Sequence, residues 1–297
     1  MNGRSSSEEG LCELKERCLF AIPKKGRLHE RCMKLLAGAG VDFVRLDRQD
    51  IAHCSNLPMS VIFLPASDIP KFVCQGNVDM GITGQDVIAE DGVSVTETLA
   101  LGFGKCKLAV QAPIGKYESA SQMAGKRIVT SFPRLTEKYF EGLKVQAPQV
   151  LFVSGSVEAS VSLGLGDAIV DLVETGATMK AAGLEIVETI METEATLVMN
   201  KNSRFVSIVE KVKKRIEGWM TAQKYVLVSY NVHESNKEAA IRVTPGMRSP
   251  NVTNLVEEGW FACSAMVLKK NVVEVIDALS EVGAKDILVT NIDNFRA

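Results

Sequence analysis

The sequence predicts an α/β protein that ends in a separate βαββαβ unit, and three observations carry that prediction. Over the first two thirds, short apolar runs alternate with segments of helical spacing. Polar and glycine-rich residues gather in the turns that follow the apolar runs. From Lys224 onward the order changes to strand, helix, strand, strand, helix, strand, a ferredoxin-like unit. With 297 residues, 46% of them hydrophobic and 24% charged, the chain can bury a large core and split into two or three domains.

The elements follow in order. Leu19–Ile22, Val61–Leu64, Met80–Ile82, Lys107–Gln111, Arg127–Thr130, Val150–Val153 and Ala168–Val173 are short runs that suit buried strands. Between them, Leu28–Ala37, Ser67–Gln75, Gln85–Glu90, Leu135–Gly142 and Val157–Leu163 carry helical spacing. The alternation predicts parallel sheets with helices on both faces, and ligands sit beyond the C-terminal strand ends of such sheets. Phe205–Trp219 predicts an amphipathic helix with Phe205, Ile208, Val209, Val212 and Ile216 on one face, and a domain boundary is expected just after it, near Thr221. In the last unit, strands are expected at Lys224–Tyr230, Asn251–Val256, Phe261–Leu268 and Asp286–Ile292. Ser235-Asn236-Lys237-Glu238 reads as a capping box opening a helix through Ile241, and Val272–Glu281 as a second helix.

Composition excludes several functions. Lys+Arg 34 against Asp+Glu 36 gives a net charge of -2, so no global positive field holds nucleic acid or an anionic membrane. No apolar run approaches the ~20 residues of a membrane helix. The seven cysteines, Cys12, Cys18, Cys32, Cys54, Cys74, Cys106 and Cys263, are scattered without a Cys-x-x-Cys pair. They suit free thiols in a reducing cytoplasm better than zinc or disulfides. The segment 1–14 reads as a polar tail, lacking the apolar core of a signal peptide.

The chemistry concentrates in Ile169–Thr178, IVDLVETGAT. A buried strand delivers Asp171 and Glu174, and the chain then turns through Thr175-Gly176-Ala177-Thr178 into a helical stretch. Such a turn offers backbone N–H groups and two hydroxyls to a phosphate, and two acids beside it can accept hydrogen bonds from ribose hydroxyls. The other reading is a threonine that caps a helix beside solvated acids. Pro23-Lys24-Lys25-Gly26-Arg27 is either a polyphosphate-binding turn or a solvated basic one. Gly81-Ile82-Thr83-Gly84, before Asp86, reads as a loop allowing close backbone approach. Ser154-Gly155-Ser156-Val157-Glu158 is a third candidate loop, and Lys105 and Lys107 are weaker candidates. No nucleoside-triphosphate P-loop occurs, and His29, His53 and His233 lie in unrelated segments.

Glu158–Met179, EASVSLGLGDAIVDLVETGATM, resembles the signature of the ATP phosphoribosyltransferases, which begin histidine biosynthesis. IPKKGRL, GNVDMGITGQD and TSFPRLTEKYF resemble the same family. The resemblance implies a two-lobed, periplasmic-binding-protein-like catalytic region with the active site between the lobes, plus a C-terminal regulatory domain. The first lobe is expected at 15–104 and 184–220, the second at 105–183 and the regulatory domain at 221–297. The implied reaction joins N1 of the adenine of ATP to C1 of phosphoribosyl pyrophosphate and releases pyrophosphate, with Mg2+ on the pyrophosphate oxygens. The resemblance places Gly155, Ser156, Glu158, Asp171, Glu174, Thr175, Gly176, Ala177 and Thr178 around phosphoribosyl pyrophosphate. It places Lys25, Gly26, Arg27 and Asp86 around ATP, with Lys25, Arg27, Asp171 and Glu174 as the catalytic set. Metal ligands are not assigned.

The length and the βαββαβ unit resemble the long form of that family, which binds histidine as inhibitor and is expected to form a homo-oligomer, a hexamer. Asn231, Met247, Asn251, Met266 and Asp286 are the expected regulatory residues. The chain departs from the family pattern at Phe132, where Tyr is frequent, and at Asn231, where Asp can stand. Two other functions share the fold expectation. A solute-binding protein would need no Asp171–Thr178 constellation, and a silent regulatory subunit would need no intact phosphate turn.

Overall fold

The computed structural model describes residues 14–46 and 49–296, so the expected polar tail, apart from residue 14, and Cys12 lie outside the described residues. In chain order the elements are β1 (Cys18–Pro23), α1 (Arg27–Gly38), β2 (Ile51–His53), β3 (Met59–Leu64), α2 (Ile69–Cys74), β4 (Met80–Gly84), α3 (Gln85–Asp91) and β5 (Thr96–Ala100). They continue with β6 (Cys106–Pro113), β7 (Arg127–Thr130), α4 (Pro133–Leu143), β8 (Gln149–Phe152), α5 (Ala159–Ser162), β9 (Ala168–Val173), α6 (Ala177–Ala181), β10 (Leu184–Thr193) and β11 (Ala195–Met199). The remainder is α7 (Val206–Lys224), β12 (Tyr225–His233), α8 (Lys237–Val243), β13 (Asn251–Asn254), β14 (Trp260–Leu268), α9 (Val272–Glu281) and β15 (Lys285–Asn291).

The strands form three sheets, ordered β2-β3-β1-β4-β11-β5, β10-β6-β9-β7-β8 and β13-β14-β12-β15. The continuous apolar runs have a plain cause. In β9, Ile169 enters one core cluster with Val129, Val157, Met179 and Leu184, while Val170 enters another with Leu108, Ile128 and Phe140. A strand buried on both faces has no polar alternation. Each such side chain contributes roughly 1.5–3 kcal/mol by leaving water.

The sheets are mixed rather than parallel. β1 runs parallel to β3 and β4, and β7 parallel to β8 and β9. β2, β11, β6 and β10 pair antiparallel with their neighbours. Leu184–Thr193, expected in the first lobe, pairs with β6 in the second sheet, so the chain returns to the first sheet only at β11. The first and second sheets with their helices form two lobes.

The chain divides into two compact units, one of residues up to Met33 with Asp42–Val209, the other of Lys34–Val41 with Glu210–Ala297. The expected boundary near Thr221 falls inside α7. Both large sheets lie in the first unit. In the second, the four-stranded sheet has the order of a ferredoxin-like unit, with Val226, Val228, Tyr230 and Val232 packed against Ala240 and Leu279 of the helices. Ser235 does not cap α8. That helix starts after Asn236 without a side-chain cap, and Ser235 instead donates its backbone N–H to His233 Nδ1 at 3.3 Å. The strand expected to reach Val256 ends at Asn254.

Candidate active site

β1 ends at Pro23, and the turn through Lys24, Lys25 and Gly26 opens α1 at Arg27. Gly26 has φ +87°, a left-handed conformation that side-chain-bearing residues adopt at a cost. His29 Nδ1–H donates to the Pro23 carbonyl at 2.7 Å, and Lys24 pairs with Asp50 at 2.7 Å. In the other lobe, β9 ends at Val173 and the turn at Glu174–Gly176 opens α6, with Gly176 at φ +76°. The first N–H groups of a helix have no partner within it, and here Ala177 N–H meets only the Thr175 hydroxyl at 3.5 Å.

Arg27 brings the two turns together, since its guanidinium donates to a Glu174 carboxylate oxygen. Between them opens a cleft of about 690 Å³. Of the residues expected at the site, Arg27, Asp86, Glu174, Thr175, Gly176, Ala177 and Thr178 line this cleft. Lys25 and Gly26 are exposed and do not line it, nor do Asp171, Gly155, Ser156 and Glu158, so of the expected catalytic set Asp171 as well as Lys25 stands outside the lining. Ser156 has φ +51°, and buried Val157 anchors its loop to the core. Glu158 reaches the site through its field, for its charge helps raise the Asp171 carboxyl.

Asp171 sits two register steps inside the strand end, opposite Ala109 of β6. Burial pushes its carboxyl up to about 6, the Leu172 N–H bond draws it down, and Glu158 adds to the rise. That N–H donates to Asp171 Oδ1 at 2.8 Å. Asp86 is buried, and desolvation raises its carboxyl against the opposing hydrogen bonds. Thr193 Oγ1–H donates to its Oδ1 at 2.8 Å, so part of its bonding capacity is spent across the lobes. Gly81–Gly84 is strand rather than loop. The close approach at Gly81 is made by α2, because a Cβ there would lie 2.5 Å from Ile69 Cγ2.

Some lining residues escaped the sequence reading. Arg31 lies one helical turn beyond Arg27 and also faces the cleft, a spacing that could have exposed it. Cys106 and Leu172 line it too; Phe132, already marked in the sequence as a departure from the family pattern, also lies in the lining and carries no hydroxyl. Lys105 and Lys107 line a neighbouring cavity of about 600 Å³ with Lys180, and Lys107 pairs with Glu192 at 3.6 Å. Among the described residues no group of three or more His, Cys, Asp or Glu could hold a metal ion by itself. Mg2+ usually takes one or two carboxylates and completes its shell with phosphate oxygens and water, and Asp171 and Glu174 offer that hard oxygen set.

In the second unit, Asn231 Nδ2 donates to Asp286 Oδ2 at 2.9 Å. Asn251 pairs with Ser264, and Met266 with Leu227, on the sheet face turned away from α8 and α9. Met247 is exposed in the loop before β13.

Fold and cleft together define a two-lobed enzyme region carrying a small βαββαβ module. The family model described as ATP phosphoribosyltransferase matches residues 65–218, and that of its C-terminal domain matches 222–294. The ATP phosphoribosyltransferase of Candida albicans is 49% identical over 291 residues, covering 95% of this chain and 98% of the relative. Those of Schizosaccharomyces pombe and Saccharomyces cerevisiae are each 48% identical, with the same coverage. A chain of the ATP phosphoribosyl transferase (HisG:HisZ) complex from Thermotoga maritima is similar with TM-score 0.59 and 30% identity, over 67% of this chain and 98% of that one. The chain belongs to the ATP phosphoribosyltransferase family and is a pentosyltransferase of histidine biosynthesis.

Proposed function

We propose that the interlobe cleft joins N1 of the adenine of ATP to C1 of phosphoribosyl pyrophosphate, and that histidine inhibits the enzyme through the C-terminal module. The observation that carries this is the Arg27–Glu174 contact, which sets a basic turn against a phosphate-accepting turn in one cleft.

The Thr175–Thr178 turn holds the 5-phosphate by N–H groups and hydroxyls, and Asp171 and Glu174 accept from the ribose hydroxyls. Gly155, Ser156 and Glu158 support the same substrate from the cleft edge, while Lys25, Gly26, Arg27 and Asp86 address ATP. The C1–O bond breaks with its electron pair leaving on pyrophosphate, and the N1 lone pair forms the new bond. Positive charge builds on the ribose ring meanwhile, so holding the ring between carboxylates and aligning N1 are what the protein contributes. Mg2+, when bound, would neutralise the pyrophosphate oxygens, and Asp171 and Glu174 are the carboxylates that would help to hold it. Arg27, released from Glu174 by the substrate, turns its guanidinium to the phosphates.

The regulatory reading rests on Asn231, Asn251, Met266 and Asp286, the last drawn in by its bond to Asn231, with Met247 at the edge. The family further suggests a homo-hexamer in the cytoplasm. No helix among the described residues is long and apolar enough to cross a membrane. The test is pyrophosphate release. Release that requires both ATP and phosphoribosyl pyrophosphate supports the reading, and binding of either without turnover overturns it.

A further inference from the structure

Helix α3 follows β4 in the first lobe, yet both of its ends are held by the second. At its start, Asp86 N–H donates to Thr193 Oγ1 at 3.0 Å, and that hydroxyl returns a bond to Asp86 Oδ1 at 2.8 Å. Thr193 is the last residue of β10 in the second sheet, two residues before β11 opens beside β4 in the first, so this contact sits where the chain crosses between the lobes and the Glu90 contact is the one made away from that crossing. At its other end, the two oxygens of Glu90 accept from the Arg134 and Leu135 backbone N–H groups, each at 2.9 Å. Arg134 Nη1 donates in turn to the Asp91 carbonyl at 3.1 Å.

Those N–H groups belong to the first turn of α4, which has no acceptor of its own. Its N-cap position is Phe132, whose side chain can accept no hydrogen bond, and Pro133 follows with no N–H. An eleven-residue helix of the second lobe therefore takes its cap from a carboxylate of the first. Glu90 also brings negative charge to the positive end of that helix. On its own side α3 is tied down by Lys71–Asp91 at 3.1 Å, so the cap cannot follow α4 freely. Phe132, the residue this arrangement positions, lines the cleft.

We propose that Glu90 is an interlobe latch and a positioning residue. By capping α4 from the first lobe it limits how far the lobes part and holds Phe132 in the lining of the cleft. Its effect on turnover rests on the cleft being the active site, as proposed above; its effect on lobe separation does not.

The test is Glu90→Ala in the full chain, with spin labels on native exposed Cys74 of the first lobe and on Lys138→Cys of the second. Glu90→Gln, which keeps one acceptor oxygen, is measured beside it. The distance distribution between labels should broaden and lengthen without substrate in Glu90→Ala and do so less in Glu90→Gln. KM for both substrates should rise roughly tenfold in Glu90→Ala, the loss of charge-assisted bonds across a closing cleft. An unchanged distance distribution overturns the latch, and a lowered Tm with both KM values unchanged overturns the positioning role. If Glu90→Ala fails to fold, Glu90→Gln gives the same two readouts. Absence of pyrophosphate release in the unsubstituted protein would sink the reaction assignment, while the label distances would still decide the latch.

Discussion

Asp171 is a carboxyl that the end of β9 holds away from water, and its titration has consequences for both stability and activity. Its value rises from 3.8 to about 6, chiefly through burial. Because the folded value lies above the unfolded one, ionisation costs the fold. That cost is absent below the unfolded value, grows as pH climbs to about 6, and is complete above it. Asp171→Asn should therefore raise Tm more at about pH 8 than at about pH 4.5, and an equal change at both would show the group to be solvated. The same proton controls binding if the carboxylate accepts a ribose hydroxyl. kcat/KM for phosphoribosyl pyrophosphate should then fall about tenfold per pH unit below about 6. The Asn variant should lose that limb and show a raised KM. Asp171 and Glu174 drew attention in the sequence because they share one short stretch with the turn that opens α6, and of the two only Glu174 lines the cleft. Thr193 and Glu90 were not legible. Thr193 is 107 positions from Asp86, and Glu90 is 44 from Arg134; a hydrogen bond between such residues has no local pattern.

At the scale of elements, β4 shows where a correct motif can carry a wrong reason. Glycines at 81 and 84 read as allowing close approach to a ligand, although Met80–Ile82 also read as strand; Gly81 is strand, paired with Ala21 of β1 and Val198 of β11. Its missing side chain makes room for α2, since a Cβ would come within 2.5 Å of Ile69 Cγ2 and 3.3 Å of the Ala21 carbonyl. Gly81→Ala should cost about 1–3 kcal/mol in urea unfolding, the range for overpacking, with substrate KM little changed in the folded fraction. A raised KM without loss of stability would return the glycine to the ligand. Strands buried on both faces, such as β1 and β9, announce themselves by apolar runs. β5 and β10 do not: TETLA and LEIVETIMET mix glutamate and threonine with apolar residues because they lie half exposed, each at an end of its sheet. Missing β10 as a strand also displaced the expected return to the first lobe, since only its pairing with β6 fixes the lobe to which it belongs.

At the scale of the whole chain, βα alternation and a change of pattern near the end of α7 were enough to expect an α/β region followed by a βαββαβ module, while the division of that region into two lobes came from the family resemblance. The antiparallel crossings between strands were not legible, because direction is set by long-range pairing rather than by composition. The module keeps one sheet face against its helices, which leaves the other to present Asn231, Asn251 and Met266, joined by Asp286 through its bond to Asn231. If that face is the histidine sensor, deleting residues 225–297 should abolish histidine inhibition while retaining dependence of turnover on both substrates. Cutting after Lys224 preserves α7, although it removes the Asn294 bond to the Gly38 carbonyl at 3.4 Å. Oligomeric state must be measured alongside, because lost assembly could lower turnover without bearing on the sensor. Asn231→Ala in the full chain gives a second route: losing the bond to Asp286 should weaken inhibition by histidine about tenfold with unchanged KM for ATP. Inhibition that persists at full strength in both proteins places the sensor outside this module.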